Sequence, residues 1–348
     1  MNKRFYLWSG FLFTLLACNM NGFASTPTTD LLATLAASTP LTGSPVSPIE
    51  SPTSAFNLST SIPLTVPTSS STIQPKGQIV FTCQIFKVQA SDQICIINAD
   101  GTGFRRLTTD DTKQHYYPSP APDGKSVVYA AFRDKNIYEI YEMRLATGNV
   151  VQLSDQIGNL NAPEISPNGK SIVFKHSNGS NNRNLIWIMD RNGENIANIP
   201  RATGWDPTWS PDGKYVLFAS DMDGAIQLFT IRANGKELKK ISNLPAIRGR
   251  SDWSPDGKYI VTYSGETWKR EVYIMDADGA NAHILSPAGG NSQGASFSPD
   301  GQWLTFTSYY DHPADENGCE IYIMRIDGTD LRRLTNNDYC DYQPRWGP

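Results

Sequence analysis

The sequence predicts an all-β fold: a six-bladed β-propeller whose ring is closed when the C-terminal strand pairs with the N-terminal blade. Two observations support this prediction. A turn triplet recurs at intervals of 44 or 45 residues, which is the period expected of propeller blades. The repeating region also starts and ends with incomplete units that complement each other, as a closed ring of blades requires.

Each triplet combines a proline, an aspartate or asparagine, and a glycine. Proline fixes φ at the second position of a tight turn, and glycine is favoured near its end, so each triplet is typical of a hairpin between two strands. The five triplets are Pro122-Asp123-Gly124, Pro167-Asn168-Gly169, Pro211-Asp212-Gly213, Pro255-Asp256-Gly257 and Pro299-Asp300-Gly301.

Four strands can be placed around every triplet, and the fourth triplet illustrates the order. A short strand precedes it, a β-branched and aromatic run follows at 259–263, and a third strand covers 272–275. A polar fourth strand then closes on Leu285-Ser286. Val, Ile, Tyr and Phe alternating between glycine-containing turns are typical of strands.

The two ends of the repeating region set the number of blades. Residues 77–108 contain the last three strands of a blade without a first strand, and residues 343–348 resemble a first strand with nothing after it. Joined head to tail, these fragments make one complete blade and leave no unpaired edge between the first and last blades. Five whole blades and this composite blade predict a ring of six.

The N-terminal segment is typical of a bacterial export signal. Lys3 and Arg4 precede an apolar stretch that is short for a membrane span. It ends in Leu15-Leu16-Ala17-Cys18, which resembles a lipobox. The resemblance implies that residues 1–18 form a lipoprotein signal and that Cys18 is acylated, which would anchor the chain outside the cytoplasm on the cell membrane or the outer membrane. The alternative is an ordinary cleaved signal in which Cys18 is incidental.

Residues 19–76 are predicted to be a disordered tether between the lipid anchor and the propeller at 77–348. Ser, Thr and Pro dominate residues 25–75, where the only charges are Asp30 and Glu50. Such a segment cannot bury enough apolar surface to offset its ordering entropy. The whole chain has a formal net charge of −4 and no basic stripe, which argues against a nucleic-acid partner.

The repeats resemble those of a known family, the WD40-like repeats of TolB-like propellers. Trp209-Ser210-Pro211-Asp212-Gly213-Lys214 and Asp276-Ala277-Asp278-Gly279 carry the resemblance, which extends over residues 77–348. Similar repeats form the N-terminal propeller of prolyl oligopeptidase-type peptidases. The resemblance implies a propeller that serves as a docking surface, since TolB works in an envelope complex and contacts a lipoprotein partner. The predicted tether occupies the place where TolB has an α/β domain, so the full role of TolB is not carried over to this chain.

The predicted binding site is the mouth of the central channel. Residues that enter the innermost strand of each blade surround this mouth on the loop face, and concave sites are the usual place for a ligand. A mixture of aromatic, amide and charged side chains suits a peptide terminus or a partner loop. The alternative is that the aromatic residues only seal the channel while Asp206 pairs with Arg250. The candidate residues are Tyr116, Tyr117, Asn161, Trp205, Asp206, Arg250, Gln293, Tyr342 and Gln343.

These observations predict a non-catalytic, monomeric binding module or scaffold, without metal or cofactor, that docks an envelope or surface protein or peptide. A carbohydrate-binding propeller stays open as an alternative, with the aromatic residues of the mouth as stacking platforms. A metal-dependent lyase or lactonase would need convergent ligands in the channel. A peptidase of the prolyl oligopeptidase type would need a Gly-x-Ser-x-Gly motif, which the sequence lacks.

The histidines do not have the spacing of zinc ligands. We therefore interpret them as polar residues, three of them in loops of the channel-mouth face and one in an outer strand. The loop histidines are His115, His176 and His312, and the outer-strand histidine is His283.

Four cysteines follow Cys18, and disulfides are permitted outside the cytoplasm. We expect Cys319 to pair with Cys340, because Cys319 begins the third strand of the last blade and Cys340 lies in the loop that leaves that blade. Hairpin register is expected to place Cys83 and Cys95 on opposite faces of their blade. Cys95 occupies a position that is aromatic in other blades and is interpreted as a buried free thiol.

Overall fold

The protein folds as a set of short antiparallel strands. The computed structural model describes residues 74–85, 91–134, 137–177, 183–247 and 249–348, and in these ranges no helix is long and apolar enough to cross a membrane. The predicted signal, Cys18 and nearly all of the tether lie outside the described residues. The strands are β1 Gln78–Gln84, β2 Asp92–Asn98, β3 Arg105–Arg106, β4 His115–Pro120, β5 Ser126–Asp134, β6 Ile137–Arg144, β7 Val150–Gln152, β8 Asn159–Ile165, β9 Ser171–Ser177, β10 Asn184–Asp190, β11 Ala197–Thr203, β12 Trp205–Trp209, β13 Tyr215–Ser220, β14 Gln227–Arg232, β15 Lys239–Lys240, β16 Asp252–Trp253, β17 Tyr259–Ser264, β18 Glu271–Asp276, β19 His283–Ile284, β20 Gln293–Phe297, β21 Trp303–Ser308, β22 Glu320–Arg325, β23 Arg332–Arg333 and β24 Asp341–Gly347.

These strands form six four-stranded sheets, and each sheet is one blade of a propeller. Blade 1 has the strand order β24-β1-β2-β3, whereas blades 2 to 6 are each built from four consecutive strands: β4–β7, β8–β11, β12–β15, β16–β19 and β20–β23. The prediction of an all-β, six-bladed propeller is confirmed.

The closing strand β24 pairs with β1 as predicted. Ile79 lies opposite Trp346 and Gln78 opposite Gly347 in an antiparallel ladder. The indole Nε1 of Trp346 donates a hydrogen bond to the carbonyl oxygen of Lys76 at 2.8 Å, which ties the entry of the chain to its last strand. The edge that an open ring would expose is therefore paired.

Each predicted triplet forms the turn between the first two strands of its blade. In blades 3 to 6 the same set of hydrogen bonds stabilises this turn. In blade 4, Asp212 Oδ1 accepts bonds from Ser210 Oγ at 2.7 Å and from the backbone N–H of Lys214 at 3.0 Å. Ser210 Oγ in turn accepts from the backbone N–H of Tyr215 at 2.9 Å. Gly213 has a φ of 67°, a conformation that favours glycine. Equivalent bonds recur in blades 3, 5 and 6.

A second hydrogen-bond pattern recurs at the loop end of five blades. In each of them it uses the Ser or Thr that follows the fourth strand. In blade 6, Thr335 Oγ1 donates to the carboxylate of Glu320 at 2.6 Å and accepts from the backbone N–H of Ile321 at 2.9 Å. The hydroxyl and the carboxylate are thereby both satisfied inside the fold. The equivalent pairs are Gln93–Thr108, Glu139–Ser154, Gln227–Ser242 and Glu271–Ser286.

The hydrophobic core lies between neighbouring blades. Between blades 3 and 4, for example, Val173 and Ile186 of one blade pack in one buried cluster with Phe218 and Ile231 of the next. Burial of these apolar faces holds adjacent blades together and leaves the centre of the ring to polar side chains.

Two disulfides are present, and one of them corrects an expectation. The structure joins Cys319 to Cys340, the residues that directly precede β22 and β24, and so fastens the starts of these two strands together. It also joins Cys83 to Cys95, whose Cα atoms are 5.8 Å apart. The expectation of opposite faces and a free thiol at Cys95 is wrong. Cys95 pairs with Phe81, and Cys83 lies two residues from Phe81, so both cysteines are on one face as diagonal neighbours.

Candidate functional site at the channel mouth

The innermost strands of the six blades share one backbone feature. At the same position in each blade a residue has a positive φ, and in five blades the strand register shifts there. Such bulges turn a side chain away from the regular ladder and are common beside functional sites. The residues at this bend are Tyr117, Ala162, Asp206, Arg250, Gly294 and Gln343. The structure therefore brings four of the predicted site residues to one repeated bend.

Arg250 crosses the channel from blade 5. Its Nη2 donates a hydrogen bond to the carbonyl oxygen of Pro118 in blade 2 at 2.9 Å, and its guanidinium lies 5.4 Å from the centre of the Tyr117 ring. The contact with Asp206 is made by the backbone N–H of Arg250, at 3.1 Å from Asp206 Oδ2. Burial lowers the pKa of Arg250 to about 10, so the side chain stays charged at neutral pH.

Arg345 of β24 forms a second crossing two residues further along the inner strands. Its Nη2 donates to the carbonyl oxygen of Ser251 at 3.0 Å, and its guanidinium nitrogens lie 3.5 Å from the carboxylates of Glu164 and Asp252. Burial raises the pKa of Glu164, and the charge of Arg345 opposes that effect. Blades 1, 3 and 5 are linked by this ion network.

Together the two arginines fill the middle of the channel. The cavity beside them, which both side chains line with Glu164 and Asp206, has a volume of about 10 Å³. That is room for about one water molecule. We call the predicted site residues that surround the mouth on the loop face, together with these two arginines as its floor, the cup.

Tyr116 and Tyr342 form one wall of this cup through a shared acceptor. Their hydroxyls donate to Asp92 Oδ2 and Oδ1, each at 2.7 Å, and Asp92 is only 4% exposed. Burial and the adjacent carboxylate raise the pKa of both tyrosines above the usual range. Both hydroxyls consequently remain donors, and the wall is fixed across the contact between blades 1 and 2.

The remaining predicted residues lie around the same mouth. Asn161, Trp205 and Gln293 are half-buried. Gln293 Oε1 accepts a hydrogen bond from Arg270 Nη1 at 2.7 Å, and Gln343 Oε1 accepts from the backbone N–H of Tyr117 at 2.9 Å. The cup thus combines partly exposed amide and aromatic groups with a buried charged floor.

Four residues that organise the cup were not predicted from the sequence: Asp92, Glu164, Asp252 and Arg345. A signal for three of them was present, because Glu164, Asp252 and Arg345 occupy the position two residues after the bend. The other three blades have a hydroxyl side chain there: Ser119, Thr208 and Ser296. A charged residue inside an inner strand indicates a polar contact across the channel. Nothing in the sequence singles out Asp92.

The interpretation of the histidines as polar loop residues is wrong for two of them. His115 and His176 lie on β4 and β9 and are 6% and 5% exposed. The ring of His176 stacks on Trp187 at 4.1 Å, and its Nε2 is 2.7 Å from the carbonyl oxygen of Ile157. In the part of the chain that the structure describes, no group of three or more His, Cys, Asp or Glu side chains is placed to hold a metal ion.

Comparison with known proteins gives one family match. The model of the family described as TolB beta propeller domain matches residues 75–314. Among solved structures, TolB from Acinetobacter baumannii superposes with a TM-score of 0.67 at 25% identity, over 78% of this chain and 67% of that chain.

Two curated relatives match shorter stretches. An uncharacterized protein of Agrobacterium fabrum is 29% identical over 147 residues, which are 39% of this chain and 49% of the relative. The Tol-Pal system protein TolB of Francisella tularensis subsp. tularensis is 25% identical over 120 residues, 34% of this chain and 27% of that protein. The chain thus spans about half or less of the length of these curated relatives.

Proposed function

Because this chain belongs to the TolB beta propeller domain family, we propose that it is a non-catalytic binding module that docks a protein or peptide at the channel mouth. The observation that carries the proposal is the closed floor. Arg250 and Arg345 block the channel and leave a cup on the loop face, so a ligand there contacts a surface and does not pass through. A shallow, preorganised surface with partly exposed aromatic side chains suits a partner loop or a peptide end.

The partly exposed residues at the edge of the cup, which we call the rim, favour a protein or peptide ligand over a sugar. A sugar ring stacks on an open aromatic face, but the rings of Tyr116 and Tyr342 lie 6.5 Å apart and their hydroxyls are held by Asp92. Trp205 is the half-buried aromatic residue of the rim in blade 4, and Gln293 stands in blade 6. Tryptophan is enriched among the residues that dominate protein–protein affinity.

We also propose that the module is held outside the cytoplasm by a lipid on Cys18, with residues 19–76 as a tether. The lipobox-like Leu15-Leu16-Ala17-Cys18 supports the anchor, and the Ser, Thr and Pro composition supports the tether. The Francisella relative is named as a Tol-Pal system protein, which makes an envelope protein the expected class of partner.

Affinity capture tests the docking site. The purified full chain is immobilised and exposed to an envelope extract, beside a Trp205→Ala/Gln293→Ala variant. Truncating a tryptophan that dominates an interface typically costs about 2 kcal/mol or more of binding energy, roughly a 30-fold loss. The matched control is Lys214→Ala/Lys258→Ala, which alters two side chains on the turn face that are 61% and 72% exposed.

We expect the native chain and the control to retain the same protein and the rim variant to lose it. Circular dichroism of all three checks that the fold is unchanged. Retention of the same protein by the rim variant would show that docking occurs elsewhere. Binding to glycans in place of proteins, lost in the same variant, would favour the carbohydrate alternative.

A further inference from the structure

The outermost strand of each blade has a neighbouring strand on one side only among the described residues. Such an edge can pair with another chain, and proteins usually protect it with charged residues or proline. Two arginines form β3 and β23, two lysines form β15, and β11 contains Pro200 and Arg201, while the two-residue strand β19 begins with His283. In blade 2 the outermost strand β7 is Val150-Val151-Gln152, which has neither a charge nor a proline. Its two valines are 47% and 55% exposed.

The main-chain groups of β7 point alternately toward β6 and away from it. Directly after the strand, the backbone N–H of Leu153 donates a hydrogen bond to the carbonyl oxygen of Ile140 at 2.8 Å. In an antiparallel ladder the hydrogen-bonded residues recur at every second position, so Val151 also bonds to β6. The N–H and C=O groups of Val150 and Gln152 therefore face outward, where a further strand can pair with them.

A pocket of about 320 Å³ lies beside this edge, between blades 1 and 2. Apolar side chains from both blades line it, among them Leu107, Tyr141, Met143 and Val150. Because side chains alternate along a strand, Val151 points to the other face of the blade. The residue of an added strand that lies opposite Val150 would place its side chain over the pocket. Domains that bind extended peptides at a sheet edge use such pockets to select alternate side chains.

We propose that β7 binds an extended, uncharged peptide segment of another protein, which adds a fifth strand to blade 2 and places a large apolar side chain in the pocket. Charges on both faces beside the edge are already paired. Lys113 lies 3.3 Å from Asp110 at the pocket, and Arg191 lies 2.6 Å from Glu142 on the opposite face. A charge on the covering segment would be buried without a partner, which is costly.

The size of the edge favours such a segment over a second copy of this chain. A stable dimer buries about 1,200 Å² or more in total. Two half-exposed strands of three residues can supply only a part of that area. The site lies outside the channel, so the proposal does not depend on docking at the cup.

The test uses a displayed library of random heptapeptides as the probe of the immobilised full chain. Clones that also bind a Gln152→Pro variant are removed, because this substitution deletes an outward N–H, and proline is tolerated at an edge whose N–H faces solvent. We expect the remaining clones to share uncharged residues around one large apolar residue. Gln152→Ala is the matched control: it also loses the side-chain bond to the carbonyl oxygen of Ser154, but it keeps the N–H and should bind these clones.

A selected peptide is then synthesised, and its affinity is measured by isothermal titration calorimetry. Val150→Lys introduces the protection found at the other edges and should weaken binding by about tenfold or more, because it places a charge beside the apolar pocket. Replacing the apolar residue of the peptide by alanine should weaken binding to a similar extent.

Amide hydrogen exchange measured by NMR separates strand addition from other ways of docking. In the free chain the amides of Val150 and Gln152 should exchange fast, and that of Val151 slowly. The peptide should slow the exchange at Val150 and Gln152 and leave Val151 unchanged.

The proposal is overturned if no clone discriminates the native chain from Gln152→Pro, if Val150→Lys binds the peptide as tightly as the native chain, or if the peptide adds no protection at Val150 and Gln152. A native dimer that Gln152→Pro abolishes would assign the edge to a second copy and overturn it as well. Near-UV circular dichroism establishes that each variant is folded. Should Gln152→Pro not fold, Val150→Lys replaces it in the removal step.

Discussion

On the turn face, blades 3 to 6 use the same three hydrogen bonds around a Ser and an Asp or Asn, whereas at the channel mouth each blade contributes a different side chain to the bend. The bonds on the turn face join residues two to five positions apart. Those at the mouth join residues 94 and 132 positions apart, as in Arg345 to Ser251 and Arg250 to Pro118.

The turn face is therefore stabilised by repeated local contacts, and the channel mouth by single contacts between distant blades. A turn that weakens on one blade leaves its counterparts on the other blades intact. The arginines at the mouth have no counterpart, and each holds blades that are not neighbours in the ring. We therefore expect single substitutions to be severe at the mouth and mild at the turns.

The largest effect is expected for Arg345→Leu. It leaves the carboxylates of Glu164 and Asp252, whose side chains are 17% and 19% exposed, without their cation. Breaking a fully buried ion pair typically costs about 3–5 kcal/mol, so we expect a loss of up to about 3 kcal/mol. Urea unfolding followed by fluorescence measures the loss. The triple variant Arg345→Leu/Glu164→Gln/Asp252→Asn removes the uncompensated charges and should recover part of it.

A loss of less than about 1 kcal/mol in Arg345→Leu would contradict the role of the buried network. So would a triple variant that is less stable than Arg345→Leu itself, because the carboxylates would then not be the source of the cost.

The next effect is expected at the seam where β24 closes the ring. Cys319→Ala/Cys340→Ala removes a cross-link between residues 21 positions apart, and a loop of this size is worth about 3 kcal/mol in the chain-entropy treatment. Cys83→Ala/Cys95→Ala, with a separation of 12, is the matched comparison inside one hairpin. Thermal unfolding with and without a reducing agent measures both.

A reducing agent should lower the Tm of the native chain and leave the Tm of a variant without the four cysteines unchanged. An unchanged Tm of the native chain on reduction would show that the ladder between β1 and β24 suffices to close the ring.

The same contrast explains how far the sequence could predict the structure. The triplets, the strands and the complementary ends depend on short-range patterns, so the six blades and the closure by β24 could be predicted. The position of the mouth residues followed from alignment of the repeats. The bond from Arg250 to Pro118 could not, because side-chain reach across a ring depends on the geometry of blades far apart in sequence. The Cys83–Cys95 disulfide was missed through an error of register parity.

A pH-dependent effect is expected at Asp341, which is 1% exposed near Glu320 and accepts a hydrogen bond from Asn337 at 2.9 Å. Burial, with a contribution from Glu320, raises the pKa of Asp341 to about 7, from an ordinary value of 3.8. The folded protein therefore binds this proton more tightly than the unfolded chain. The resulting stability is full below about pH 4 and is lost as the pH rises to about 7.

Asp341→Asn should remove this dependence. We expect its Tm to exceed that of the native chain by at least about 2–4 °C at pH 8, equivalent to about 1 kcal/mol for a chain of this size, and to match it at about pH 4. Thermal unfolding by circular dichroism across this range measures the difference. Parallel pH profiles for the two proteins would show that Asp341 does not titrate in this window.

The smallest effect is expected at a turn of the repeated face, with Asp256→Ala. Hydrogen bonds from the Ser254 hydroxyl and from Lys258 lower the pKa of Asp256 to about 2. Its contribution is therefore present above about pH 4 and is lost as the pH falls through about 2. The side chain is half-exposed, so solvent screening limits the loss to less than about 1 kcal/mol at neutral pH.

Asp123→Ala in blade 2 is the control for that turn, because Ala121 replaces the serine there. Of the turn's side-chain hydrogen bonds between described residues, Asp123 keeps the one from the backbone N–H of Lys125 at 3.0 Å. Asp123→Ala should therefore cost less than Asp256→Ala in urea unfolding. If either turn variant lost as much stability as Arg345→Leu, the turns would not be interchangeable supports. The contrast between a redundant turn face and a channel mouth held by unique cross-ring contacts would then fail.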